Sequence, residues 1–123
     1  MNAVPPFFSS PGAGLVSRTP GTSGERWAAL MEAGALVAAL AGITAEPSLE
    51  SDQSFSLRLS RAEAWRREHA ERGVADLAAI MEPGIAALLA VRARGADPRP
   101  AARALWHEFA AVRTAILALL PRG

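Results

Sequence analysis

The chain has 123 residues and a formal net charge of +1; half of its residues are hydrophobic and a fifth are charged. That length allows one core, with about two thirds of the unfolded surface available for burial, and the composition is too apolar for global disorder. The absence of cysteine excludes a disulfide framework, a thiolate nucleophile and any cysteine-based zinc or iron-sulfur centre.

All the positive side chains are arginine, as expected of a GC-rich genome, and much of the hydrophobic content is alanine. Alanine is the best helix former but offers little area to bury, so a core built on it needs close helix contacts. Nucleic-acid binding would need a basic stripe, and the arginines of 58–72 instead alternate with Glu63, Glu68 and Glu71. Pro5 and Pro6 interrupt the stretch where the apolar part of a secretory signal would lie. The longest apolar run, Trp27 to Ile43, contains Glu32 and is short of the roughly 20 residues of a membrane span. The expectation is a cytoplasmic protein with no stable membrane insertion, no nucleic-acid partner and no cofactor.

Residues 1–22 are rich in proline, glycine and serine and read as a flexible, disordered arm, with Phe7 and Phe8 as its only large anchors. Residues 23–121 form the predicted helical domain. The first helix starts at Thr22 or Ser23, either of which can cap it, and ends at Gly42. At about 100° per residue it is apolar on two sides, Trp27, Leu30, Met31 and Val37 on one and Leu36, Leu40 and Ile43 on the other.

Thr44 to Ser56 reads as a polar connection with at most one helical turn beginning at Pro47. Ser60 and Glu63 fit the S-x-x-E capping box and place a second helix start there. That helix is laced with charges four residues apart, such as Glu63/Arg67 and Glu68/Arg72, and then carries Val74, Leu77, Ile80 and Met81. Pro83 and Gly84 are expected to break or kink it, leaving a short third helix from Pro83 to Arg94 that Gly95 stops. The last helix begins near Pro100 or Ala101. Its stripe of Leu105, Phe109, Val112, Ile116 and Leu119, widened by Trp106, Leu117 and Leu120, repeats at steps of four and three. The only competitor for a strand is the alternation of Phe55, Leu57 and Leu59.

The fold expected from these elements is all-α: a small, mainly antiparallel bundle of three to four helices. Its last helix pairs the leucine face with an alanine ridge at Ala104, Ala111, Ala115 and Ala118. Together with the second face of the first helix, at Leu36 and Leu40, this ridge leaves more apolar surface than one small core uses. Trp65, set among charges, and Trp106 are candidate contact residues, since tryptophan gives large area at little entropic cost. These features predict a non-enzymatic protein-protein interaction module, an adaptor, regulatory subunit or chaperone-like helix binder, with a homodimer or a partner helix as its use. Small bacterial secretion and flagellar export chaperones are similar in general architecture, without a shared motif.

Two alternatives remain open in the sequence. His69-Ala70-Glu71-Arg72-Gly73 resembles the H-x-x-K-G signature of histidine phosphotransfer domains, helical bundles in which an exposed imidazole receives a phosphoryl group. The resemblance spans five residues and implies His69 as acceptor; Arg72 stands for the lysine, and Glu71 would repel incoming charge. Arg66 and Arg113 fall on apolar arcs of their helices, where a charge needs a partner. They could form an anion pocket, or lay their stems on the core and reach a glutamate such as Glu32 or Glu63. Neither His69 nor His107 has the spacing of a metal-ligating pair, and no triad order or phosphate loop is present, so no catalytic residue and no metal site is assigned.

Overall fold

A capping box fixes the start of the first helix. The Thr22 hydroxyl accepts from the Glu25 amide at 3.0 Å, and the Glu25 carboxylate accepts from the Thr22 amide at 3.1 Å. In the computed structural model, which describes residues 22–44 and 52–122, this helix, α1, spans Ser23–Ala41. Apart from Thr22, the arm predicted over 1–22 lies outside the described residues. Gly42 ends α1 in the left-handed region, φ 72°, and the Ile43 amide donates back to the Ala38 carbonyl at 2.9 Å. That turn brings Ile43 back against the core, so the predicted second face of α1 divides: Leu36 is exposed, while Leu40 and Ile43 are half-buried.

The next helix, α2, spans Asp52–Arg61, where the sequence predicted a connection and a helix start. Phe55 and Leu59, one turn apart, are both buried, while Leu57 between them is exposed. A period of four, not two, therefore organises this segment, and the strand alternative falls away. The Ser60–Glu63 capping box does not form. Ser60 donates to the Leu57 carbonyl at 2.7 Å within α2, and Glu63, extended at φ −60° and ψ 152°, precedes the next helix without a side-chain cap. Phe55 stacks on Trp27 with ring centroids 4.3 Å apart and planes 6° from parallel. This contact outweighs the weak helix signal of a polar segment. Trp27 is fully buried, and its indole nitrogen is the one buried side-chain nitrogen or oxygen among the described residues without a hydrogen-bond partner.

The third helix, α3, runs unbroken from Ala64 to Ala93 through Pro83. The expected break fails because Val74, Leu77, Met81 and Leu88 form one buried stripe that spans the proline and holds both halves in line. Pro83 and Ala79, whose carbonyl loses its intrahelical donor, are both exposed, so water can satisfy that carbonyl. Replacing Pro83 with alanine is expected to stabilise the protein by about 1 to 2 kcal/mol, short of the roughly 3 kcal/mol of an interior proline in a rigid helix. Urea denaturation with an unchanged slope and a higher midpoint would show it; a lower midpoint would mean that α4 packing depends on the proline.

Gly95, at φ 80°, ends the turn after α3, and α4 spans Arg99–Ala118. Asp97 accepts from the Arg99 amide at 3.0 Å and from its guanidinium at 3.1 Å, which holds the Asp97 carboxyl below the usual carboxylate range. Phe109, Ile116 and Leu120 of the predicted leucine stripe are buried, and Leu105, Trp106, Val112, Leu117 and Leu119 pack half-buried around them.

Three glycines receive the α4 side chains. A Cβ on Gly34 of α1 would overlap the Phe109 ring; on Gly73 of α3 it would lie 2.9 Å from Ile116, and on Gly84 it would lie 2.8 Å from Leu105. These contacts also give the topology. Residue numbers fall along α4 as they rise along α1 and α3, so α4 is antiparallel to both. Consistent with this, Arg103 reaches the Ala41 carbonyl at the far end of α1. The α1 and α3 helices run parallel, with the Ser23 hydroxyl at the start of α1 donating at 3.0 Å to the Glu71 carboxylate, two turns into α3. The α2 helix sits at this end. It packs chiefly on α1, and Arg58 donates to the Leu117 and Pro121 carbonyls at 3.3 and 2.8 Å where α4 ends.

Candidate functional site

With α4 filling one side of the α1–α3 pair, the opposite side of that pair lies open along part of its length. An apolar groove of about 440 Å³ runs there. Its walls are Ala29 and Ala33 of α1 and Ala75, Ala78 and Ile85 of α3, and Leu30 and Met81 form the floor. Arg26 stands on one rim and Glu82 on the other. Alanine walls leave the helices close together at the floor and the space above them unfilled.

Helical spacing carries the two walls beyond the groove. On α1 the row Ala29, Ala33, Leu36, Leu40 advances by four, three and four; on α3 Ala78, Glu82, Ile85, Leu89 does the same. Each row carries a large exposed side chain beyond the groove, Leu36 at 41% on α1 and Leu89 at 44% on α3. By length and composition α3 is the only helix among the described residues that could cross a membrane, and only 22% of its most apolar 18-residue stretch is buried. That stretch, not the Trp27–Ile43 run, is the more membrane-like part of the chain. Asp76 and Glu82 interrupt it.

The predicted contact residues fall into separate places. Leu36 and Leu40 belong to the groove's α1 row. Ala104, Ala111, Ala115 and Ala118 are all exposed on α4, away from the groove walls. Trp106 is half-buried and stacks on Phe109 at 5.4 Å, so much of its area is spent on the core. Trp65 is 51% exposed, with the Arg66 guanidinium 4.8 Å from its ring centre and the His69 ring edge-on at 5.9 Å.

The two arginines find different partners. Arg66 pairs with Glu63 at 3.6 Å, and Arg113 lies over Trp106 and Phe109 at 5.6 and 5.4 Å, its cation satisfied by aromatic faces and not by a glutamate. The cleft that Arg66 lines, at the end of the bundle, is shared with Arg61, Glu63 and Leu119; Arg113 is not part of it. His69 and Arg72 are exposed, while Gly73 of the same motif is taken up by Ile116. Among the described residues no three histidine, aspartate or glutamate side chains converge on a possible metal position.

The sequence reading missed the α3 wall, because Ala75 and Ala78 look like ordinary helix formers. The available signal was a second row on α3, Ala75, Ala78, Glu82, Ile85 and Leu89, on a different side from its buried stripe. No protein-family model, curated protein or solved structure matches this chain.

Proposed function

We propose that this chain is a non-enzymatic protein-protein interaction module whose α1–α3 groove takes up an amphipathic helix of another chain. The observation that supports the reading is the open, alanine-walled groove leading to exposed Leu36 and Leu89. A helix laid there has apolar anchors three and four residues apart and adds a fourth long helix to α1, α3 and α4. The occupant is either a different protein or a second copy, and light scattering on the purified chain separates the two.

The test is capture of partner from the native organism by three versions of the full chain. Ala78→Glu puts a carboxylate on the groove wall at an exposed helix position, and is expected to weaken capture at least about thirtyfold, equivalent to roughly 2 kcal/mol. Ala115→Glu, on the exposed alanine side of α4, is expected to leave capture unchanged. The reverse pattern would move the interface to α4, and association with lipid vesicles in place of protein would overturn the reading. The exposed imidazole of His69 supports phosphotransfer as the alternative. That alternative requires an acid-labile label from a phosphorylated receiver domain that disappears in His69→Ala.

A further inference from the structure

We propose that residues 1–21 of the same chain cover the α1–α3 groove in the free protein, with Phe7 and Phe8 seated on Leu36 and Leu89. The proposal rests on the groove being a docking surface, and it names what occupies that surface before a partner arrives.

Three observations place the arm there. First, it joins the bundle at the right end: α1 is capped at Thr22, and the groove opens one turn later at Arg26 and Ala29. Second, the lengths agree. From Thr22 to Leu36 is 14 residues of helix, about 21 Å along the axis. Residues 9–21, 13 residues rich in glycine, serine and proline, separate Phe8 from Thr22, and a chain of that composition has an r.m.s. end-to-end distance of about 20 Å. Effective concentration is greatest when a tether's natural length matches the span it must cross. Phe8 is therefore delivered most often to the level of Leu36; by the register that Gly34 and Gly84 share through α4, Leu89 lies about 10 Å farther along, within the roughly 45 Å reach of the extended tether.

Third, the chemistry is matched. Phe7 and Phe8 are the only aromatic side chains in residues 1–21, and Arg18 is the only charged one. The arm thus brings two large rings to two exposed leucines and, behind them, a segment of small residues, Ser9 to Gly14, followed by Leu15 and Val16, to an alanine-walled channel. The stretch from Phe7 to Ser17 brings no charge to the walls, while Arg18, of the same sign as Arg26, lies four residues before the Thr22 cap. Phenylalanine gains most from such a site because its ring is large and carries no polar atom to desolvate.

The absence of cysteine provides the test. Ser9→Cys in the full-length chain gives a single attachment site for a nitroxide label. Amide signals of Ala33, Leu36 and Leu89 are expected to lose intensity, while those of Ala104 and Ala115 on α4 keep theirs. Adding Phe7→Ser and Phe8→Ser, or Leu36→Ser and Leu89→Ser, is expected to restore the surviving lost signals; all four positions lie outside the buried core or the described residues. Loss of signal at all sites alike, or at none, overturns the proposal. A mixture of labelled chains with isotope-enriched unlabelled chains gives the remaining control: groove signals lost in that mixture show the arm of a second copy at work and overturn the intrachain assignment. Partner capture is read separately. A chain that captures a helix through Ala78 but shows no label effect rejects the arm and leaves the docking function standing.

Discussion

Phe55→Ala is expected to destabilise the protein by about 3 to 5 kcal/mol, the range found when a buried phenylalanine is truncated. It is also expected to release α2 from the bundle. Among its described side chains the ten-residue helix has Phe55 and Leu59 buried, and isolated helices shorter than about 12 to 15 residues are marginal in water. Without the stack on Trp27, the ties that remain include Leu59 and the Arg58 bonds to the end of α4. Hydrogen exchange should become fast across residues 54–61 while the middle of α3 and α4 stays protected. One compensation is built in. Water reaching the vacated space can pair with the Trp27 indole N–H, which has no partner among the described residues, so the measured cost should sit toward the lower end of the range. Equal loss of protection in all helices would show that α2 is integral to one cooperative unit.

Gly34→Ala is expected to destabilise by about 2 to 3 kcal/mol, although alanine is the better helix residue by up to about 1 kcal/mol. For a domain of this size that corresponds to a fall in melting temperature of roughly 10 to 20 °C. The cause is the Phe109 ring, which occupies the space of the added methyl group and is itself buried beneath Trp106 and Arg113. The ring cannot swing away without disturbing both. Phe109→Leu removes the atoms that meet the new Cβ, so in the Gly34→Ala background it should recover part of the loss. The double-mutant cycle should give a coupling of at least about 1 kcal/mol. Additive effects would mean that Gly34 and Phe109 do not share the space.

These two contacts show what the sequence could and could not reveal. The α1 and α4 helices were legible because their information is local: a capping residue at Thr22 or Ser23, a glycine stop at 42, and a leucine stripe at steps of three and four. The α2 helix was not, since it is polar apart from side chains whose value depends on Trp27, a residue 28 positions away. Ser60 and Glu63 matched a local motif, but the pair straddles the junction between α2 and α3, and the serine bonds backward. Pro83 and Gly84 look like punctuation in one dimension. In the bundle, the proline lies on the exposed side and the glycine admits Leu105. The groove was half legible, through Leu36 and Leu40; its α3 wall is made of alanines whose exposure only the packing decides.

The parallel course of α1 and α3 sets a polarity for whatever helix enters between them. Each helix carries the equivalent of about half a positive charge at its N-terminus and half a negative charge at its C-terminus. Two such dipoles point the same way here, and among the long helices only α4 opposes them. A helix entering the groove is favoured when it runs against α1 and α3, with its carboxyl end beside Ser23 and Glu71 and its amino end beside Leu36 and Leu89. A basic last turn on that helix would meet Glu71, while its positive amino end would lie nearer Glu82, so the groove selects direction as well as shape.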